Sequence, residues 1–156
     1  MLRTLLLALS LGTLVTPVLA REIAVAPQVD ASTLPALGQT WLEANPYRET
    51  PAAAAALDIG RSAYNQSCAR CHGADASTHA APAPDLRNLN RSCRRIEDPA
   101  LKAWCLRDND AYFARSVRHG KLIVGVTHMP AWEAVLAQEL AWAIQIFIEA
   151  QAAAKR

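Results

Sequence analysis

The chain has 156 residues, of which 52% are hydrophobic, and 16 Lys and Arg stand against 14 Asp and Glu. This near balance of charge, without a basic stripe along the sequence, argues against nucleic acid as a partner. The length is enough for one small domain with its own core but hardly for two, and no internal repeat is visible.

Residues 1–20, MLRTLLLALSLGTLVTPVLA, have the pattern of an export signal. Arg3 precedes an apolar run from Leu5 to Val15, and cleavage is expected after Ala20. The alternative is a membrane anchor, but this run is shorter than the roughly 18 to 20 residues that a span requires. We therefore expect a periplasmic protein without stable membrane insertion after cleavage, in an oxidising compartment where thiols form disulfides or bind a cofactor.

Residues 21–50 contain three prolines and scattered polar groups, with only a short apolar patch. This composition predicts an extended arm ahead of a folded domain over residues 51–156. Thr50 followed by Pro51 has the pattern of a helix cap and a favoured first helical proline, and an alanine-rich run follows. The sequence therefore predicts a helix over residues 51–67.

The rest of the chain predicts two more helices separated by long loops. Asp108 or Asn109 can cap a short helix that Gly120 ends. Residues 121–130, KLIVGVTHMP, are predicted to be a loop, because no second run is available to pair with the apolar triplet LIV. Apolar residues recur at helical spacing from about Trp132 to Ala154. The expected fold is all-α, with three or more helices and loops long enough to wrap a ligand.

Residues 67–73 read SCARCHG, and three chemistries fit two thiols three positions apart. A thioredoxin-like dithiol requires a preceding strand, and nothing upstream has a strand pattern. A zinc site needs a second ligand pair at short spacing, whereas Cys93 and Cys105 lie twelve apart without a neighbouring histidine. The pattern Cys-x-x-Cys-His is instead typical of c-type haem attachment, with Cys68 and Cys71 adding to two vinyl groups of one haem and His72 binding the iron.

A haem iron with one histidine ligand needs a sixth ligand. Met129 precedes Pro130 in the loop ahead of the last helix, and it is the only methionine once Met1 is removed. A lone methionine usually fills a core, but an attached haem, a loop position and a stiffening proline favour Met129 as the distal ligand of a high-potential cytochrome. The competing candidates are three histidines, namely His79, His119 and His128.

Cys93 and Cys105 remain after the haem has taken the other two thiols. In an exported protein the simplest expectation is a disulfide between them. In the chain-entropy model, a disulfide that closes a loop of this length stabilises the folded state by roughly 3 kcal/mol. The alternative is a pair of free buried thiols.

With these residues in place, the sequence resembles the class I c-type cytochromes from about residue 59 to the C-terminus. Gly60 and Tyr64 stand eight and four residues before Cys68, as do the glycine and aromatic of that family's first helix. The resemblance implies that this helix crosses the last helix closely, with Trp142 and Phe147 as candidates for the other side of the crossing.

Pro84 resembles the family proline whose carbonyl oxygen accepts a hydrogen bond from the proximal imidazole. The segments NPYR, GRSAYNQSCARCHG and HMPAWEAVLAQELAWAI are similar to the small soluble cytochromes that accept electrons from periplasmic quinoprotein (PQQ) alcohol dehydrogenases. The resemblance implies an electron carrier, not an enzyme, that passes electrons to an oxidase or another cytochrome.

Two other functions remain open. One is a general electron donor to a terminal oxidase or other reductase. The other is a haem-based peroxidase or gas sensor, which would need an open sixth position on the iron, and Met129 before a rigid proline argues against it.

Overall fold

The computed structural model describes residues 24–77 and 83–154, and the predicted export signal lies outside these ranges. The described residues are mostly helical with long connections, as predicted, together with one small sheet. In chain order the α-helices and strands are α1 (Ala53–Ser67), α2 (Ala69–His72), α3 (Pro99–His119), β1 (Lys121–Ile123), β2 (Val126–Met129) and α4 (Gln138–Ala154). Short 3-10 helices span Leu86–Asn88 and Cys93–Arg95.

The core is built around the crossing of α1 and α4. Gly60 is fully enclosed there, and a Cβ atom at this position would overlap the backbone carbonyl of Ala143. One turn along α1, the ring of Tyr64 lies 5.0 Å from that of Phe147 between ring centroids. The close crossing that the resemblance implied at Gly60 is therefore present, because only glycine lets the two backbones approach this far.

Trp142 occupies a different side of α4 from the one expected. Its ring contacts Phe113 of α3 and Trp41 of the N-terminal segment, at centroid distances of 6.2 Å and 6.4 Å. It is fully buried there. Trp142 thus joins α4 to α3 and to the segment ahead of α1, while Phe147 packs against α1.

The segment over residues 24–50 contains no helix or strand and lies against α3 and α4. Asn45 attaches this segment to α4, because its side-chain amide donates to the carbonyl of Trp142 at 3.0 Å and to Gln145 Oε1 at 2.8 Å. Tyr47 is only 1% exposed. The α4 residues that contact this segment include four on one face, namely Gln138, Trp142, Gln145 and Glu149.

Arg48 fixes the end of the same segment by ion pairs with both helices. Its guanidinium donates two hydrogen bonds to Asp110, at 2.9 Å and 2.8 Å, and also bonds Glu149 at 2.7 Å. The Asp110 side chain is completely buried. Burial opposes the charge on Arg48, but its hydrogen bonds to the two carboxylates outweigh burial and raise its pKa.

Helix α3 begins about ten residues earlier than predicted. Its N-cap is Asp98, whose carboxylate accepts from the backbone N–H of Leu101 at 2.7 Å, and Pro99 occupies the first turn. An aspartate followed by proline is a common helix start, so the signal was present in the sequence. The predicted cap at Asp108 or Asn109 was wrong, because both positions lie inside the helix.

Two other helix starts also differ from the predictions. The N-cap of α1 is Ala52, without a side-chain hydrogen bond, and the hydroxyl of Thr50 instead donates to the carbonyl of Tyr47 at 2.8 Å. Helix α4 begins at Gln138 instead of near Trp132. The first part of the apolar pattern forms a turn instead, in which the N–H groups of Val135 and Leu136 bond the carbonyl of Trp132. The apolar pattern did not reveal this boundary, because it continues from the turn into the helix.

Residues 121–130 form an antiparallel hairpin, not the predicted loop. Lys121 pairs with Met129, Leu122 with Thr127 and Ile123 with Val126. The register shifts between Lys121 and Leu122. Val124 and Gly125 make the turn, both with positive φ, at 48° and 77°. The partner of Lys121–Ile123 is the following strand Val126–Met129, which carries too few apolar residues to be recognised as a strand.

Candidate functional site

One helical turn brings together the two cysteines and the histidine of SCARCHG. The backbone N–H of Cys68 still bonds the carbonyl of Tyr64, at 2.8 Å, so the chain continues from α1 almost directly into α2. The N–H groups of Cys71 and His72 then bond the carbonyl of Cys68, at 3.2 Å and 2.9 Å. This local geometry places both thiols and the imidazole at one end of α1.

The two thiols of the motif are free and differ in environment. Cys68 is half-buried, whereas Cys71 is exposed. Burial raises the pKa of Cys68 to about 12, and its Coulombic interaction with Cys71 contributes to the same shift. At neutral pH the Cys68 sulfur is therefore a protonated thiol.

The imidazole of His72 has a defined orientation. Its Nδ1 lies 3.0 Å from the backbone carbonyl oxygen of Pro84. A carbonyl oxygen only accepts hydrogen bonds, so Nδ1 carries the proton and Nε2 keeps a free lone pair. This is the contact that the resemblance implied for Pro84, and it prepares Nε2 to bind a metal.

The loop between the motif and Pro84 is held by backbone and tyrosine hydrogen bonds. Tyr64 OH donates to the carbonyl of Gly73 at 2.7 Å, and burial raises the pKa of this phenol, which keeps it a neutral donor. The N–H of Ala76 bonds Gly73, and the N–H of Leu86 bonds Ala76 at 3.0 Å. These contacts return the chain to the motif and bring Pro84 against His72.

Met129 lies at the end of β2, half-buried against the core. Gly120, which has a φ of +67°, packs so closely that a Cβ atom there would overlap the carbonyl of Met129. Just beyond Pro130, the N–H of Trp132 bonds the carbonyl of Val117 at 3.0 Å. From the sequence Gly120 was expected only to end a helix, whereas in the structure it also packs directly against the backbone of Met129.

The competing histidines have other surroundings. His119 is exposed, and its Nδ1 lies 3.6 Å from Glu133 Oε2. His128 is exposed on β2. The third, His79, lies outside the described residues.

Cys93 and Cys105 are joined by a disulfide, with their Cα atoms 5.6 Å apart. Asn109 lies one turn further along α3, and its side-chain amide contacts Cys93 Sγ at 3.1 Å and Asn90 Oδ1 at 3.0 Å. Asn90 in turn donates to Glu149 at 2.7 Å. The disulfide loop is thereby connected to the buried ion pairs of Arg48, a role for Asn109 that the sequence did not reveal.

These donors fit an iron porphyrin. Two free thiols one helical turn apart suit the two vinyl groups of haem, and nitrogen from histidine with sulfur from methionine is a known axial pair. The contact between His72 Nδ1 and the Pro84 carbonyl is the specific observation, because a histidine with Nδ1 bound to a carbonyl has its other nitrogen oriented for a metal.

Comparisons with known proteins identify the class that this fold and site define. A family model described as cytochrome C oxidase, cbb3-type, subunit III matches residues 55–148, which include the motif, Pro84 and Met129. Cytochrome c550 of Pseudomonas aeruginosa is 38% identical over 127 residues, covering 80% of this chain and 77% of that protein. No solved structure matches the chain.

The chain therefore belongs to the cytochrome c family. It is an electron-carrying haem protein with covalently attached haem c, it has the cytochrome c fold, and its partners are redox proteins; it is not an enzyme. In the described part of the chain, no helix combines the length and apolar character needed to cross a bilayer.

Proposed function

We propose that this protein is a periplasmic mono-haem cytochrome that accepts single electrons from a PQQ-dependent alcohol dehydrogenase and passes them to an oxidase or another cytochrome of the respiratory chain. The observation that carries the electron-transfer role is the contact between His72 and Pro84, because it leaves one imidazole nitrogen free for iron. Residues 1–20 are the export signal in this proposal, residues 21–50 the arm, and residues 51–156 the haem domain.

The haem would be held by four side chains. Cys68 and Cys71 would form the thioether bonds, while His72 Nε2 and the sulfur of Met129 would be the axial ligands. The haem iron supplies one-electron oxidation and reduction. Pro84 fixes the orientation and tautomer of His72, so that ligand does not have to rearrange between oxidation states.

The backbone around Met129 is equally constrained. Gly120 packs against its carbonyl, and Pro130 stiffens the residue that follows. A constrained backbone at Met129 favours electron transfer over peroxidase or gas-binding chemistry, because both of those require an open sixth position. The same constraint would help to hold Met129 as a ligand of the haem iron in both oxidation states.

The alcohol dehydrogenase donor is supported by resemblance in three segments. One of them, NPYR, contains Asn45 and Arg48, which fasten the N-terminal segment to α3 and α4. That segment therefore supports a shared architecture more than a shared donor. The other two segments, GRSAYNQSCARCHG and HMPAWEAVLAQELAWAI, contain the proposed haem ligands and their neighbours. Their similarity to cytochromes that accept electrons from these dehydrogenases is what supports the proposed donor.

The test is direct reduction of the purified, haem-loaded protein. Oxidised protein is mixed with a purified quinoprotein alcohol dehydrogenase and ethanol, and the absorbance of the reduced haem is followed. We expect reduction at the turnover rate of the dehydrogenase, with none when ethanol is omitted. Absence of reduction in the complete mixture would exclude this donor.

A second candidate is a general electron donor to a terminal oxidase. The match of residues 55–148 to a family model named for a cbb3-type oxidase subunit is the observation that favours it. Its test is oxidation of the reduced protein by a purified cbb3-type oxidase in the presence of oxygen. Rapid oxidation without any reaction with the dehydrogenase would favour this candidate over the first.

A further inference from the structure

One face of α3 points away from the core and carries large apolar side chains. Leu101 and Trp104, one turn apart, are 52% and 59% exposed, and Tyr112 two turns later is 48% exposed. We call this surface, with Arg107, the α3 outer face. Single exposed apolar residues are ordinary, but a tryptophan beside a leucine, with a second aromatic along the same helix, forms a patch.

The position of Trp104 on the helix shows that it is not a core residue. Phe113, nine residues later and half a turn away around the helix, contacts Trp142 in the core. Asp110 is buried against Arg48 on the same inner side. Trp104 therefore faces the opposite direction, so packing among residues 24–77 and 83–154 does not account for its presence.

The surroundings of Trp104 carry an excess of basic residues. Residues 91–108 contain five basic and three acidic residues, a local excess of two positive charges. The basic residues are Arg91, Arg94, Arg95, Lys102 and Arg107, and the acidic residues are Glu97, Asp98 and Asp108. Arg91, Arg95 and Arg107 are exposed, and within the described residues none of the three has an ion-pair partner. Asp98 is engaged as the N-cap of α3.

The disulfide holds this surface in one conformation. Cys105 follows Trp104 directly and is bonded to Cys93, which lies between the flanking arginines. Asn109 adds a contact to Cys93 Sγ at 3.1 Å. A surface already fixed before binding loses less conformational entropy on association, which is a property of docking sites.

The α3 outer face also reaches the axial ligand end of the molecule. The Nζ atom of Lys121 lies 4.5 Å from the ring centroid of Tyr112, and Lys121 is the cross-strand partner of Met129. Trp104 and Tyr112 are about 12 Å apart along the helix axis at 1.5 Å per residue. An interface of ordinary size, about 800 Å² on each partner, covers both residues.

We propose that the α3 outer face is the docking surface for the electron-donor protein, with Trp104 inserted into an apolar recess and the neighbouring arginines paired with carboxylates at its rim. Tryptophan and arginine are the side chains that most often dominate binding at protein interfaces. Arginine and carboxylate form charge-assisted, often bidentate hydrogen bonds. This inference rests on the proposed function, since it identifies the surface that the donor contacts.

The test compares Trp104→Ser and the double variant Arg95→Gln/Arg107→Gln with the natural protein, all loaded with haem. The measured quantities are KM and kcat of a purified quinoprotein alcohol dehydrogenase with the cytochrome as electron acceptor. We expect KM for each variant to rise on the order of tenfold with kcat little changed, because a docking anchor is lost while the haem is intact. Raising the salt concentration should raise KM for the natural protein more than for the arginine variant.

Matched controls lie elsewhere on the surface. Leu42→Ser removes an exposed apolar side chain from the N-terminal segment, and Arg61→Gln removes an exposed charge from α1. Both should leave KM unchanged. Reduction by a small neutral hydroquinone should proceed equally in every variant, which verifies that the haem site is intact.

The outcomes separate this inference from the proposed function. If the dehydrogenase reduces the natural protein and Trp104→Ser has the same KM, the docking surface is wrong and the donor is right. If the dehydrogenase does not reduce the natural protein while hydroquinone does, the donor is wrong and the docking inference fails with it.

Discussion

The Nδ1 atom of His72, at the end of α2, lies 3.0 Å from the carbonyl oxygen of Pro84, twelve residues away in the loop that follows. This hydrogen bond makes the imidazole a stronger electron donor at Nε2, which stabilises ferric iron. Replacing Pro84 with alanine removes the constraint on that backbone, so the hydrogen bond should weaken and the reduction potential should rise. A redox titration followed by haem absorbance measures this shift. An unchanged potential with unchanged stability would show that the carbonyl does not need the proline ring.

Met129→Leu should remove the distal ligand while keeping the volume of the side chain. We expect loss of the sulfur-to-iron charge-transfer band of the oxidised protein and rapid binding of carbon monoxide by the reduced protein. His128→Gln is the matched control, because this neighbouring exposed residue should leave the band intact. The reverse pattern, with the band lost only in the histidine variant, would overturn the assignment of Met129.

Gly60→Ala should destabilise the protein, because the added Cβ would overlap the backbone of Ala143. Backbone atoms move less readily than side chains, so we expect a loss of about 1–3 kcal/mol or more in the free energy of unfolding. Guanidinium denaturation measures it. Asp58→Ala, at an exposed position of the same helix, should change stability by less than about 0.5 kcal/mol. Equal stability of the two variants would contradict the close helix crossing.

Arg48→Met should leave the carboxylate of Asp110 buried without its cationic partner. Breaking a buried ion pair in this way costs about 3–5 kcal/mol. Denaturation with guanidinium is again the measurement, and Arg61→Met on the surface of α1 serves as control. A loss below about 1 kcal/mol, as for an exposed pair, would mean that water screens this network.

The double variant Cys93→Ser/Cys105→Ser should lower the free energy of unfolding by roughly 3 kcal/mol, because the unfolded chain regains the freedom of a closed loop. The haem spectrum should stay unchanged, since the loop holds no iron ligand in our proposal. Mass spectrometry of the natural protein before and after reduction checks the bond itself, with a gain of two hydrogens expected. No gain would show that the thiols are free.

The chemistry of this protein was readable from a few local residues. Cys68, Cys71 and His72 lie within one helical turn, so their spacing in the sequence is also their spacing in space. Gly60 and Tyr64 were placed correctly through the resemblance to the first helix of the class I c-type cytochromes, and their spacing before Cys68 holds because α1 continues almost directly into the motif.

Contacts between distant segments were beyond sequence reasoning. The strand VTHM was missed because its pairing with Lys121–Ile123 depends on a turn at Val124 and Gly125 and not on its own apolar pattern. The early start of α3 was missed although Asp98 and Pro99 give a recognisable signal.

What the sequence determined by itself is therefore the haem chemistry, since covalent attachment needs only a short run of residues in the right order. What the tertiary structure decided is how the other parts are held. The burial of Asp110 by Arg48 joins segments 62 residues apart, and the outward direction of Trp104 depends on which side of α3 packs against the core. The packing of Gly120 against Met129 is closer in sequence but depends on the hairpin that returns Met129 to the end of α3. No local hydrophobic pattern encodes these contacts, because they arise when separate elements pack together.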